Sequence, residues 1–147
     1  MAHCTKQLVG SLTYLTATKP DLMYVVCLIS RFMAQPREAH LSAAKRVLRY
    51  LKSTTELGVF YRRGVGDELV AYIDSDYAGD IDGRRSTSGF VFMLSCGAVS
   101  WSSRKQSMLK FCGSNEQIAD ILTKPLKLET FEKLHGLLGV KAKGEEN

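Results

Sequence analysis

A mixed α/β chain is predicted, with a helical region first and an antiparallel sheet after it. Apolar residues recur at helical spacing as far as about Lys52, and then at strand spacing from Leu69. Between the two lies Thr54 to Asp67, whose Gly58, Gly64 and Gly66 mark a natural boundary. The string Ser95-Cys96-Gly97 separates two strand-like runs closely enough for a tight turn, which makes a meander rather than a crossover. At 147 residues the chain has the length of one domain and is short for two.

The elements follow in order. Leu8, Leu12 and Leu15 predict a first helix that breaks near Thr16-Ala17-Thr18-Lys19-Pro20. Pro20 suits the first turn of a second helix, with Thr18 or Lys19 as its cap and Asp21 at its positive end. Leu22, Val25, Val26 and Ile29 form the apolar stripe of that helix, which ends around Met33 to Pro36. A third helix is expected from about Arg37 to Lys52. Its apolar positions Leu41, Ala44, Leu48 and Leu51 share one face, and Lys45, Arg49 and Lys52 make a basic stripe beside it.

In the second half, Leu69, Ala71 and Ile73 alternate with Val70 and Tyr72 in a strand expected to be buried, running into Asp74. Phe90 to Leu94 and Ala98 to Ser103 complete a three-strand meander. Asn115 to Val140 returns to helical spacing through Ile118, Ile121 and Leu122, then Phe131, Leu134, Leu137 and Leu138, with Pro125 between the pieces. Lys141 to Asn147 reads as a charged tail. The expected division is therefore 1–66, 67–140 and 141–147.

Composition excludes several classes. Hydrophobic residues make up 45% and charged residues 24%, a globular balance that fits neither a collagen-like nor a wholly disordered chain. No run approaches the roughly 18 apolar residues of a spanning helix, so no membrane association is expected. Met1-Ala2-His3-Cys4-Thr5-Lys6 lacks the basic cap and apolar core of a signal peptide, and an intracellular setting is expected. Cys4, Cys27, Cys96 and Cys112 are scattered, as are His3, His40 and His135, so neither a zinc-type cluster nor a disulfide framework is expected. The net charge of +5 is uneven: residues 1–66 hold ten basic and three acidic residues, and residues 67–147 hold ten and twelve. A basic half beside a mildly acidic one reads either as a polyanion-facing surface or as a solvated helix face.

The most chemical stretch is Tyr72 to Gly83, with Asp74, Asp76, Asp80 and Asp82 within nine residues. A calcium loop fails here: starting from Asp74, position five is Ala78 and position twelve is Arg85. Starting from Asp80, position five is Arg84. The alternative is a Mg²⁺-type site in which one strand supplies one carboxylate and distant elements supply the rest. Asp74 alone sits where the strand alternation has just ended, while Asp76, Asp80 and Asp82 read as turn residues.

Several strings together resemble the C-terminal part of the Pol polyprotein of Ty1/copia-type LTR retrotransposons, abundant in plants. Leu8-Val9-Gly10-Ser11-Leu12 and Tyr14-Leu15-Thr16-Ala17-Thr18-Lys19-Pro20-Asp21 are similar to the stretch beyond the reverse transcriptase palm, where the family usually has Arg at the place of Lys19. Ser30-Arg31-Phe32-Met33, His40 and Ala44 to Lys52 look like the family's connecting helices. Tyr72 to Asp80, Ser86-Thr87-Ser88-Gly89-Phe90 and Ser100 to Gln106 look like the opening strands of its ribonuclease H domain. Gln117-Ile118-Ala119-Asp120-Ile121-Leu122-Thr123-Lys124-Pro125-Leu126 resembles that domain's closing motif.

The resemblance implies an incomplete ribonuclease H-like fold preceded by a small helical connection subdomain. An intact domain of that kind cleaves the RNA strand of an RNA–DNA hybrid, with four carboxylates holding two Mg²⁺ ions. By resemblance Asp74 matches the first-strand carboxylate and Asp120 the last. The segment carrying the other two departs from the family: Lys105-Gln106 runs straight into Ser107-Met108-Leu109-Lys110-Phe111-Cys112, and no Asp or Glu lies between Asp82 and Glu116. The same departure removes a central helix, which should leave one face of the meander uncovered and expose Phe90, Phe92 and Trp101 or their neighbours.

Three readings of function stay open. One is a Pol fragment with a degenerate, inactive ribonuclease H-like domain. Another is an active, or partner-complemented, Mg²⁺-dependent hybrid nuclease. The third is a non-enzymatic nucleic-acid-binding module. In each, Lys45, Arg46, Arg49, Lys52, Arg84 and Arg85 are the candidates for sequence-independent phosphate contact with a hybrid or duplex, and the rest of a Pol polyprotein is a candidate partner. The family's cytoplasmic and nuclear life sets the expected location.

Overall fold

The computed structural model describes residues 2–62, 68–76, 86–105 and 118–142. Their order is α1 (Ala2–Leu15), a 3-10 turn (Pro20–Leu22), α2 (Met23–Ser30), α3 (Glu38–Ser53), β1 (Leu57–Val59), β2 (Leu69–Ser75), β3 (Thr87–Leu94), β4 (Gly97–Lys105), a second 3-10 segment (Ile118–Leu122), α4 (Leu128–Leu137) and β5 (Val140–Ala142). The chain is mixed α/β, with β1 paired to β5 and a three-stranded sheet ordered β2-β3-β4. Two compact units divide between Gly58 and Val59 and again between Lys141 and Ala142, the second unit being Val59–Lys141. Among the described residues no helix is long and apolar enough to cross a membrane.

In the first unit α1, α2 and α3 enclose a core of Val9, Leu12, Leu22, Val26, Ile29, Ala44 and Val47. The buried line of α1 is Thr5, Val9 and Leu12 rather than Leu8, Leu12 and Leu15, and Leu15 is 37% exposed. Threonine joins a helical core readily because its hydroxyl can donate to a carbonyl one turn back. Thr16, itself buried, donates in this way to the carbonyl of Thr13 at 2.7 Å. On α3 the covered positions are Ala44 and Val47, while Leu48, expected inside, is 41% exposed. A face defined by 3.6-residue periodicity can be rotated by one position without losing its apolar character, and only the neighbouring helices select which one.

Pro20 opens the first 3-10 turn as expected, but neither Thr18 nor Lys19 caps it with a side chain. Lys19 instead reaches across the unit, its Nζ donating to the carbonyls of Thr54 at 2.9 Å and Leu57 at 2.8 Å. Those carbonyls follow the end of α3, where orphaned acceptors attract a cation. Asp21, read as a favourable charge at a helix start, is buried and accepts a 2.6 Å hydrogen bond from the Tyr50 hydroxyl of α3.

In the second unit the meander forms in the expected order. β2 pairs with β3 from Leu69↔Leu94 to Ser75↔Ser88, and β3 pairs with β4 from Thr87↔Lys105 to Leu94↔Gly97, with an irregularity between Phe92 and Met93. Strand β2 is not buried, however. Leu69 is 59% and Ile73 62% exposed, and only Val70, Tyr72 and Asp74 turn toward the covered side. The covered face carries Thr87, Gly89, Val91 and Met93 of β3, against which the second 3-10 segment lies with Ile118, Ala119, Ile121 and Leu122 all buried. The opposite face presents Leu69, Ile73 and Leu94 to solvent, with Phe90 and Phe92 half-buried and edge to face at 5.5 Å. Trp101, expected among them, pairs with Val91 and so belongs to the other row.

The closing part is helical in two pieces, but the first is a 3-10 segment rather than an α-helix. In α4 Leu134 is buried, Phe131 is half-buried and Leu137 is 45% exposed. Leu138, just past the helix, is fully covered. Lys141 and Ala142, read as the start of the tail, continue the strand β5, and 143–147 lie outside the described residues.

The β3–β4 turn consists of Ser95 and Cys96, with Ser95 at φ 55°, a left-handed conformation that costs a residue bearing a Cβ about 1 kcal/mol. Ser95→Gly is therefore expected to stabilise the unit by about 0.5–1 kcal/mol, read as an upward shift of the urea midpoint at unchanged slope.

Candidate functional site

Asp74 closes the alternating part of β2 and faces the covered side of the sheet. Opposite it in register is Gly89, and Gly89 is what lets the chain approach from above. A Cβ there would lie 2.8 Å from both Leu122 Cβ and Thr123 Cγ2, and 3.2 Å from the Ala119 carbonyl oxygen. Close backbone approach of this kind is a use for which glycine is suited. It seats the second 3-10 segment on β3 and delivers the residues just after it to Asp74.

Asp74 Oδ2 accepts a hydrogen bond from the Thr123 hydroxyl at 2.7 Å, across 49 positions of sequence. The Thr123 and Lys124 amides both donate to the Asp120 carbonyl, closing the turn on itself. That turn places the Lys124 ammonium 2.8 Å from Asp120 Oδ2 and 4.0 Å from Asp74 Oδ2. The two side chains that the resemblance singled out, Asp74 and Asp120, are therefore together, with a lysine reaching both.

Burial pushes the Asp120 carboxyl above its ordinary range; the Lys124 ammonium pulls it down, and the Asp74 carboxyl beside it raises it again. The side chains of Asp74 and Asp120 keep 13% and 24% of their exposure, and that of Lys124 keeps 42%. The pair is thus partly desolvated, and its cation faces water.

Asp76 is used differently. Its amide donates to the Thr87 carbonyl at 3.0 Å, and its Oδ1 accepts from the Thr87 amide, closing the end of the β2–β3 ladder. Asp80 and Asp82 lie outside the described residues, as do Arg84 and Arg85. Among the described residues, no three His, Cys, Asp or Glu side chains converge as a metal-holding group. Among the described residues, the set does not fit a Mg²⁺ pair. Such a pair needs a shell of anionic and neutral oxygens, whereas here two carboxylates already share an ammonium, and one of their oxygens accepts from Thr123.

The remaining candidates lie on α3. Lys45, Arg46, Arg49 and Lys52 are all exposed, and the Arg49 Nε–H donates to the Lys45 carbonyl at 3.5 Å. They share the outer side of the helix with Leu48.

Two contributors escaped the sequence reading: Thr123 and Lys124, quoted there only as parts of a string. The spacing of Asp120 and Lys124, four apart on a helical turn, was a usable signal for an ion pair. Nothing local pointed either of them at Asp74.

Comparison with known proteins bears on this arrangement. The chain is 48% identical over 99 residues to the retrovirus-related Pol polyprotein from transposon RE1 of Arabidopsis thaliana, a match covering 67% of this chain and 7% of that protein. It is 44% identical over 100 residues to the corresponding polyprotein from transposon TNT 1-94 of Nicotiana tabacum, again 67% of this chain and 7% of that one. It is also 44% identical over 110 residues to the secreted RxLR effector protein 161 of Plasmopara viticola, covering 74% of this chain and 78% of that protein. The chain thus spans about 7% of the length of the Pol polyproteins that it matches. No family model matches it. No solved structure matches it either.

Proposed function

Because the chain belongs to the Ty1/copia-type retrotransposon Pol family, we propose that it acts as a Pol fragment whose 67–140 region is a degenerate ribonuclease H-like domain, touching nucleic acid without cutting it. The observation that carries this reading is the meeting of Asp74 and Asp120 beside a lysine. In an intact domain a Mg²⁺ pair would position the attacking water and stabilise the leaving oxygen. Here Asp74 and Asp120 supply two of the four carboxylates such a pair requires, and no Asp or Glu lies between Asp82 and Glu116 to supply the others. Inactivity in hydrolysis follows from that shortfall of negative charge.

The helical region 1–66 supplies the nucleic-acid contact. Lys45, Arg46, Arg49 and Lys52 are exposed on one helix, where guanidinium and ammonium groups can meet successive phosphates of a hybrid or duplex. Such contact carries no sequence preference. The remainder of a Pol polyprotein is the proposed setting for both regions.

One experiment tests both halves. Folded protein in millimolar Mg²⁺ is expected to leave a labelled RNA–DNA hybrid intact, and cleavage that Asp74→Asn abolishes would overturn the proposal. The same hybrid should bind with an affinity that falls roughly a hundredfold between about 50 and about 200 mM salt, if four phosphates are neutralised. Replacing Lys45, Arg46, Arg49 and Lys52 together by Ala should flatten that salt dependence, and an unchanged slope would remove α3 from the interface.

A further inference from the structure

We propose that the open face of the three-stranded sheet is a self-association surface, which a second copy of this chain covers by stacking the same face upon it. The inference is independent of the function proposed above, since it uses neither the carboxylate pair nor the basic helix.

Register puts Ile73 beside Phe90, Ala71 beside Phe92 and Leu69 beside Leu94. Directly paired residues of an antiparallel ladder share a face, so these six side chains form one apolar field two strands wide. Leu69, Ala71, Ile73 and Leu94 are exposed, and the two phenylalanines are half-buried. On the β4 side the field is bordered by Ser100, Ser102 and Arg104, which pair with Phe92, Phe90 and Ser88. Among the described residues, Arg104 is the only charged side chain on this face. A contiguous exposed apolar field with a polar border marks a contact surface, whereas scattered single apolar residues do not.

Charge decides the class of occupant. Residues 59–141, the unit that bears this face, hold eleven basic and ten acidic residues. Such a unit neither draws a polyanion nor repels its own copy. Nucleic acid would find one guanidinium here, too few for the phosphate contacts on which its affinity depends.

A two-fold axis between the sheets, running across the strands, lays β2 on β2 and β3 on β3 of the two copies. Apolar row then meets apolar row, with the two phenylalanine pairs at the centre and the serines of β4 at the rim. The two Arg104 side chains fall at opposite ends, about 20 Å apart and beyond the reach of screened repulsion. With strands about 4.8 Å apart and about 3.3 Å per residue, three strands of seven to nine residues offer roughly 350 Å² per copy in projection. Both copies together bury roughly 700–1,000 Å², short of the ~1,200–2,000 Å² of a stable complex. The dimer therefore belongs to the weak, reversible class, with a dissociation constant on the order of 100 µM.

Analytical ultracentrifugation of the full chain tests this. The wild type should sediment as a monomer at about 5 µM and mostly as a dimer at about 500 µM. Salt at about 1 M should not weaken the association, because the contact is apolar. Ile73→Lys places an ammonium in the field and should raise the dissociation constant at least about tenfold. Leu128→Lys, at another exposed leucine of the same unit but on α4, should dimerise as the wild type does. Dilution of the wild type should move the backbone amide resonances of β2 and β3 and leave those of α4 in place, a readout that needs no variant to fold. A chain that stays monomeric to about 500 µM overturns the inference. So does a folded Ile73→Lys that dimerises like the wild type, or a dimer whose dilution shifts lie away from β2 and β3. If those resonances move on adding a single-stranded oligonucleotide and not on concentrating the chain, the face binds nucleic acid and the inference falls as well.

Discussion

Gly89→Val is expected to cost the second unit about 2–4 kcal/mol. The added atoms cannot be absorbed by a flexible side-chain end. The first of them would fall 2.8 Å from Leu122 Cβ and from Thr123 Cγ2, with the Ala119 carbonyl at 3.2 Å. Leu122 and Thr123 are fully buried and Ala119 is backbone at that contact, so the 3-10 segment must lift off the strand. Lifting uncovers Val91 and Met93 and withdraws Thr123 and Lys124 from Asp74, so overpacking and lost polar contacts add. The single tryptophan, Trp101, lies in β4 of the same unit and reports on it directly. Urea unfolding followed by its fluorescence should show a lower midpoint for Gly89→Val and an intermediate one for Gly89→Ala. A midpoint within about 0.5 kcal/mol of the wild type would show that the segment is not seated on this glycine.

Tyr50→Phe is expected to cost the helical unit about 1.5–3 kcal/mol, because the hydroxyl it removes donates to a buried carboxylate. Asp21 sits at the 3-10 turn before α2 and Tyr50 on α3, so the bond ties together two elements that share the core with Val26 and Val47. The loss should appear as a lower midpoint of helical circular dichroism. Alkaline pH adds a second check. Burial, then the hydrogen bond to Asp21 and its charge, push the Tyr50 hydroxyl above its ordinary value of 10.0. The folded state thus keeps a proton that the unfolded state gives up, so this stability is complete below pH 10 and declines as the pH rises above it. The gap between wild type and Tyr50→Phe should narrow above that pH. A gap that is constant from neutral pH into that range would show that the two side chains are not coupled.

The legible parts of the molecule were those written in short-range pattern. The meander could be read because apolar alternation in Leu69 to Ile73 and Phe90 to Leu94 is interrupted by a two-residue turn at Ser95-Cys96. The helices could be read because their leucines recur at helical spacing. Which face each would bury could not. Thr5 and Thr16 are buried like Val9, while Leu15 and Leu48 are partly exposed; a hydroxyl that donates to a local carbonyl, as that of Thr16 does, packs as well as a methyl group. Strand β2 looks like a buried strand by composition, yet it lies at the edge of the described sheet with Leu69 and Ile73 outward.

The site divides in the same way. Asp74 and Asp120 were named from strings at opposite ends of the sheet-bearing region, and they do meet. Lys124 went unread, although its spacing from Asp120 was a usable signal for that pair; nothing in the sequence made it a neighbour of Asp74.

The sequence by itself determined the main helices, the meander, their order and the family, since each is a property of neighbouring residues or of a string; the β1–β5 pair and the 3-10 form of 118–122 were not among them. Only the tertiary structure decided which faces are covered and which charge sits between the two carboxylates. Those depend on how closely Gly89 lets residues 118–124 approach β2, a distance set by packing between segments far apart in the chain.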